Sequence, residues 1–171
     1  FESFETAARA ILGQQLTVKA ASTLAGRMAR ELGLVVETDR EGLNRAFPTA
    51  KDIISLEAGV QERLGALGIP AARSSCIHAL AEAVEDGEIR LDQSAVPEQE
   101  IKRLQAIRGI GNWTAHYIAM RTMGWPDAFM ETDAGVKQVL LAYTPRQILA
   151  MAERWRPWRS YAIMNLWFRE K

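Results

Sequence analysis

The sequence predicts an all-α protein, built as one helical domain or as two small helical lobes sharing a cleft, on three observations. Apolar residues recur at helical spacing through most of the chain. Capping residues, prolines and glycines fall between these stretches where helix starts and stops require them. Val35-Val36 is the only hint of a strand, and it is too short to build a sheet.

Taken in order, Phe4, Ala7, Ala8, Ile11 and Leu12 define a first helix face, and Leu16, Ala20, Leu24 and Met28 a second, ended by Gly33. Thr49 can cap a short helix, and Pro70 can occupy the first position of another that reaches about Val84. Asp86-Gly87 marks a break. Pro97 opens a helix through Leu104 to about Ile107, and Asn112 caps one running to Gly124. After the turn at Trp125-Pro126, a helix is expected from about Asp133 to Ala142. Thr144-Pro145 starts the next, and Pro157 begins or bends the last. No internal repeat or low-complexity segment interrupts the pattern.

Composition excludes several classes. The 171 residues suffice for a proper core, with 48% hydrophobic and 25% charged residues. No apolar run approaches the roughly 18–20 residues that span a bilayer, and no signal-peptide pattern opens the chain. A cytoplasmic protein is the expectation, and a monomer. The single cysteine, Cys76, excludes an intrachain disulfide and a cysteine-based zinc site, and reads as a core thiol on an apolar helix face. Charge alone does not suggest nucleic acid: 21 basic residues balance 21 acidic ones. From Arg146 to Lys171, however, Arg146, Arg154, Arg156, Arg159, Arg169 and Lys171 face only Glu153 and Glu170. On composition that run is a solvated helix face; on function it is a candidate phosphate surface.

The most informative stretch runs from Ile101 to Ala115. An apolar-periodic helix meets Gly109-Ile110-Gly111 and passes at once into a second helix. Two glycines permit a very tight reversal, with positive φ and close approach of another backbone. Ile110 between them can plug back between the helices. The first-turn amides of the following helix, around Asn112 and Thr114, then point outward with partial positive charge, which suits a DNA phosphate.

With Leu104, Ile107, Ile110 and Ala115 flanking the glycines, this segment resembles the helix-hairpin-helix of the DNA glycosylase superfamily named for that motif, a Gly/Pro-rich loop and an aspartate. Gly124-Trp125-Pro126 and Asp133 supply the loop and the carboxylate at about one helix's distance. Ala10 to Gln15, Phe47-Pro48-Thr49, Leu67 to Pro70 and Glu153 to Ala162 are similar to the 3-methyladenine DNA glycosylase II branch, in the same order along nearly the whole chain. The resemblance implies a two-lobed helical fold with its active site in the cleft, in a bacterial repair enzyme acting on double-stranded DNA that contains alkylated bases. It also implies an upstream mixed α/β domain, or fusion to an alkyl-transferring regulatory module, and the start at Phe1 fits either.

Cleaving an N-glycosidic bond builds oxocarbenium-like charge on the deoxyribose, and a fixed carboxylate stabilises that charge. Asp133 stands at a helix start, where the anionic form is favoured. An isolated Asp there reads as a pure N-cap; beside the hairpin it reads as the catalytic carboxylate. Two acids compete with it: Glu131, and Asp127, which reads as solvent-facing in the loop after Pro126. Glu131-Thr132 departs from the branch's usual Pro or Ala-Gly at this point. Relatives that also nick the strand carry a Schiff-base lysine where this chain has Trp113, so a monofunctional hydrolase is expected.

The resemblance places Trp113, Tyr117 and Trp167 around the flipped base, where electron-rich rings would attract a positively charged alkylpurine. Core packing is the alternative for each. Trp125, Trp155 and Trp158 read as packing or support, and His116 as bordering the cleft. The gap left by the flipped base falls to the loop of Gln14, Gln15 and Leu16, with Gln15 at the wedge position and Leu16 as alternative. No cofactor is required. The resemblance further implies a monovalent cation, sodium or potassium, on the backbone carbonyls of Gln105, Ile107 and Ile110. Arg108 replaces the usual proline before the first glycine and adds a candidate phosphate contact. A DNA-binding module without chemistry, or a glycosylase for other damaged bases, are the competing functional readings.

Overall fold

The computed structural model describes residues 2–169, which form ten α-helices and no sheet. Phe1, Glu170 and Lys171, including two charges of the C-terminal run, lie outside the described residues. Helix α1 (Ser3–Leu12) is followed by α2 (Val18–Leu32), α3 (Ala50–Ile54), α4 (Val60–Ala66), α5 (Ala71–Glu85) and α6 (Pro97–Ala106). The hairpin leads into α7 (Asn112–Thr122), and α8 (Ala134–Val139), α9 (Pro145–Glu153) and α10 (Arg159–Arg169) complete the chain. Val35 and Arg45 form an isolated antiparallel bridge, so the valine pair remains extended without becoming a strand.

Local chemistry sets the helix starts. Thr49 and Asp52 exchange hydrogen bonds in a capping box at α3, and Thr144 and Gln147 do the same at α9, where Pro145 fixes the first turn. The Thr17 hydroxyl accepts from Ala20 N at the head of α2. This cap starts α2 after Leu16, which is therefore not part of the helix's apolar stripe; it stands 38% exposed. Pro70 is the extended cap of α5 rather than its first helical residue. Helix α8 ends sooner than Ala142: Leu140 leaves helical geometry, and the Tyr143 amide turns back onto the Leu140 carbonyl.

Two hydrophobic cores make the two lobes. Phe4, Ile11 and Leu12 of α1 pack with Met28, Ile53, Leu64, Ile77, Leu80, Leu104 and Ile118 in the first. Phe129, Met130, Val136, Ile148, Ile163 and Leu166 make the second. Helix α7 belongs to both, giving Ala115, Ile118 and Ala119 to one and Met120 to the other, and Tyr117 and Trp125 pack against both. Each fully buried Leu, Ile or Phe contributes roughly 1.5–3 kcal/mol, and α7 places more of its buried face in the first core than in the second. The hairpin at one end of α7 and the cleft along it are positioned by this sharing.

Candidate active site

Gly109 is required by its geometry. Its φ is +107°, and a Cβ there would meet the Cys76 sulfur at 3.1 Å and the Cys76 Cβ at 3.2 Å. Gly111 differs from the expectation of two glycines with positive φ: its φ is −87°, and a Cβ would meet nothing within 4 Å. Its lack of a side chain instead leaves the head of α7 open, and no described side chain caps that first turn. Ile110 plugs back into the first core at 5% exposure. Cys76, the buried floor beneath Gly109, has its thiol pushed up to about 11 by burial. Substituting Gly109→Ala should cost about 1–3 kcal/mol through strained φ and contact with Cys76, read as a lower melting temperature; Gly111→Ala should melt within a degree or two of the parent.

The loop of Gln14, Gln15 and Leu16 is strapped to the hairpin. Gln14 Nε2 donates to the Gly109 carbonyl at 2.9 Å and to Thr114 Oγ1 at 3.0 Å, while Arg73 Nη2 donates to the Gln14 carbonyl at 2.7 Å. Gln14 and the buried Thr114 hydroxyl thus face the protein. Gln15 is left exposed with φ +56°, a conformation that a non-glycine residue adopts only under constraint. Asn112 Oδ1 accepts from Gln105 Nε2 at 3.1 Å, joining α7 to α6 beside the turn. The Ile107 carbonyl accepts the Ile110 amide at 3.1 Å and keeps a second lone pair. A set of neutral carbonyls at Gln105, Ile107 and Ile110 fits a singly charged hard cation better than a divalent one, which prefers carboxylates.

A cleft of about 1480 Å³ runs between the lobes, lined by Gly13 to Leu16, Gly109, Gly111, Trp113, Tyr117, Arg121, Gly124 to Pro126 and Thr132 to Ala134. It is larger than the few hundred to a thousand Å³ usual for a small ligand, and open enough for part of a polymer. Asp133 sits in its wall at 8% exposure. The carboxylate is the α8 cap: Oδ1 accepts from Val136 N at 3.0 Å. Oδ1 also accepts from Trp167 Nε1 at 2.8 Å, and Oδ2 accepts from Trp113 Nε1 at 2.8 Å. A carboxylate offers about four in-plane acceptor positions, so three are filled and one remains on Oδ2. Capping and a catalytic role are therefore compatible in one side chain.

The aromatic set is brought together, with roles that differ from simple walls. Trp113 stacks on Tyr117 with centroids 5.0 Å apart and planes 9° from parallel, and Tyr117 leans on Trp167 at 6.4 Å. Trp113 and Tyr117 line the cleft; Trp167 does not, and its indole N–H is bonded to Asp133. Trp155 packs edge-on against Phe129, but Trp158 is 58% exposed and meets Tyr161 edge-on at the rim, so it is not a packing residue. Arg121, Ser160, Tyr161 and Met164 also line the cleft and were not singled out by the sequence. Glu131 does not line it.

Asp127 is not solvent-facing. It is 8% exposed, with Arg159 Nε on Oδ1 at 2.7 Å and Arg159 Nη2 on Oδ2 at 2.8 Å, and Arg156 also pairs with Oδ2. Ser160 completes the clamp: its amide donates to the Pro126 carbonyl at 2.8 Å, its hydroxyl donates to the Trp125 carbonyl at 2.7 Å, and Ala128 N donates to that hydroxyl at 3.0 Å. The Gly/Pro loop is thereby fixed to the head of α10. Two arginines of the C-terminal basic run are consumed here, so that run is less positive toward solvent than its composition suggests.

His116 packs against Trp125 at 5.8 Å, with Nδ1 2.9 Å from the Asn112 carbonyl, and does not line the cleft. Burial holds its pKa below the ordinary 6.5, opposed by the Asn112 carbonyl and Glu131 and assisted by Arg159. A depressed folded pKa means that the unfolded chain binds the proton more readily, so this part of the stability is present above pH 6.5 and is lost as pH falls below it. The melting temperature should decline between pH 7 and pH 5, and His116→Gln should flatten that decline; an unchanged slope would show that other groups set it.

No helix among the described residues is long and apolar enough to cross a membrane, and no cluster of His, Cys, Asp or Glu there could hold a metal. The family model described as "HhH-GPD superfamily base excision DNA repair protein" matches residues 8–158. The chain is 38% identical over 169 residues to DNA-3-methyladenine glycosylase 2 of Escherichia coli, covering 99% of this chain and 58% of that protein. It is also 38% identical over 167 residues to a Mycobacterium tuberculosis protein named "Probable bifunctional transcriptional activator/DNA repair enzyme AlkA", covering 95% of this chain and 32% of that one. The solved Schizosaccharomyces pombe 3-methyladenine DNA glycosylase, in complex with abasic DNA, superimposes with TM-score 0.78 at 26% identity, covering 97% of this chain and 79% of that chain. The chain thus spans well under two thirds of the first two relatives, and by the extent of its matches it belongs to the HhH-GPD superfamily of base excision DNA repair proteins.

Proposed function

We propose that this chain is the catalytic core of a monofunctional DNA glycosylase that hydrolyses the N-glycosidic bond of alkylated purines, of the 3-methyladenine type, in duplex DNA. The observation that carries the reading is the Asp133 carboxylate: three N–H donors fix it in the wall of a large cleft, with one acceptor position left on Oδ2. A fixed anion of this kind stabilises positive charge growing on a deoxyribose, and its open position can hold the attacking water. Water adds to the anomeric carbon and releases one proton to solvent, the carbon–nitrogen bond breaks, and the base leaves with the bonding electrons. The names of the similar proteins support alkylated bases as the substrate class.

Hydrolysis without strand cleavage is part of the same reading. A lyase needs an amine to attack the sugar, and among the described residues no lysine lines the cleft. Trp113 stands at the position where the resemblance puts such a lysine. Lys102 and Lys137 are exposed, on α6 and α8. The uncapped head of α7 at Gly111 and Asn112, with exposed Arg108 beside it, would hold a phosphate, and Gln15 at the cleft rim would fill the space of the extruded base. A sodium or potassium ion on the Gln105, Ile107 and Ile110 carbonyls would add positive charge behind that phosphate. The core acts as a monomer in this reading.

The test is single-turnover release of methylated purines from alkylated duplex DNA, with and without hot alkali. Free base with strand breaks only after alkali supports the proposal. Breaks without alkali would contradict the monofunctional assignment, and tight duplex binding without release would favour a binding module. Binding should weaken between low and physiological salt through a few phosphate contacts; indifference to salt would remove the α7 phosphate site from the reading.

A further inference from the structure

Trp113, Tyr117 and Arg121 follow one another at four-residue intervals on α7 and share one face of the helix. Trp113 stacks nearly parallel on Tyr117 from the preceding turn. From the following turn, the Arg121 guanidinium carbon lies over the same ring, 5.8 Å from its centroid. The two neighbours thus reach the ring from opposite ends of the helix, while Trp167 leans on it at 6.4 Å. Trp113 is tethered, since its indole N–H is bonded to Asp133. Arg121 is exposed and has no carboxylate partner among the described residues, so the ring contact is what holds it in the cleft. Of the two covers, Arg121 is the one that can move.

We propose that Arg121 is a specificity-determining residue whose guanidinium holds the cation–π position over Tyr117 and discriminates against positively charged bases relative to neutral ones of the same shape. The proposal rests on the glycosylase reading above for the nature of the incoming base. A base that stacks on Tyr117 where Arg121 lies over the ring must displace the guanidinium, and cationic and neutral bases give up the same contact in doing so. A cationic base additionally meets the charge of the displaced side chain, which remains tethered one helical turn away; a neutral base does not. The balance between the two substrate classes therefore depends on the charge at position 121, whereas the chemistry at Asp133 does not.

Three variants separate charge from bulk: Arg121→Gln, Arg121→Met and Arg121→Lys. The side chain is exposed, so all three should melt close to the parent. Single-turnover release of 7-methylguanine, which is cationic in DNA, is compared with release of neutral hypoxanthine from the same duplex sequence. Gln and Met should raise the cationic-to-neutral ratio about two- to fivefold, the scale of one exposed cation–π contact, and Lys should keep it close to that of the parent. An unchanged ratio in both Gln and Met overturns the proposal. The second readout needs no catalysis: 1-methylnicotinamide and neutral nicotinamide are titrated into protein carrying labelled tyrosine, following the Tyr117 ring by nuclear magnetic resonance. The uncharged variants should favour the cationic ligand by a similar factor. If the parent releases no base, this titration decides: a shifted preference keeps the Arg121 assignment while the glycosylase reading falls, and an unshifted one ends both. If base is released and the ratio is unmoved, only the Arg121 assignment falls.

Discussion

Asp133→Asn is expected to reduce base release from alkylated duplex DNA by at least about 10³-fold, the scale of losing a preorganised electrostatic partner of a transition state, while duplex binding persists. The substitution keeps the size of the side chain and removes its charge. Nothing then balances the positive sugar in the transition state. It also replaces an acceptor oxygen by an amide donor, and all three groups that point at the site are donors: Trp113 Nε1, Trp167 Nε1 and Val136 N. One of them must lose its partner, which costs about 1–3 kcal/mol. At about 2–4 °C per kcal/mol for a chain of this size, the variant should melt several degrees lower and still be folded at 25 °C. Single-turnover rates, fluorescence anisotropy on the duplex and thermal melting distinguish the outcomes. Retained rates would show that the carboxylate is only the α8 cap. Loss of rate, binding and fold together would show that its structural part dominates.

The part of this site that could be read from the sequence is local in the chain. The hairpin was legible because Leu104, Ile107, Gly109, Ile110 and Ala115 fall within twelve residues, and a tight turn between helices constrains each of them. Asp133 was legible as a helix start for the same reason, and the family resemblance raised it to a catalytic candidate. The partners of Asp133 were not legible as partners. Trp113 and Trp167 lie 20 and 34 residues away, and no local pattern says where an indole N–H points. A sequence reading assigns such rings to packing or to stacking, because those are the commonest uses of a large apolar surface. Asp127 fails for the same reason in the opposite direction. A carboxylate after a proline in a loop is ordinarily solvated, and its burial depends on Arg159, 32 residues on. The available signal was Arg156 and Arg159 three residues apart around Pro157, more positive charge than the local Glu153 can balance. The helix boundaries that shifted, at Leu16 and beyond Val139, are places where a cap or a backbone turn outweighed apolar periodicity.

Replacing Arg159 by Met should be the most destabilising of the substitutions considered, by about 3–5 kcal/mol, because it leaves a buried carboxylate without its bidentate partner. Arg156 still reaches Asp127, but that arginine is itself half-exposed and shared with Glu153, so it offsets only part of the loss. At about 2–4 °C per kcal/mol, the melting temperature should fall by roughly 6–20 °C. The double variant Asp127→Leu with Arg159→Met removes both charges and should recover much of the difference, since an apolar pair of similar volume is often as stable as a buried ion pair. If the single variant melts like the parent, the Ser160 hydrogen bonds alone hold the Gly/Pro loop. The same comparison bears on function. The pair fixes residues 125–128, and Asp133 follows only five residues later, reached through Phe129 and Met130, which are anchored in the second core. The double variant should therefore fold well yet release base more slowly than the parent, if charge-assisted clamping of the loop sets where Oδ2 points. If it matches the parent in rate, the second core is sufficient to place the carboxylate, and the ion pair serves stability alone.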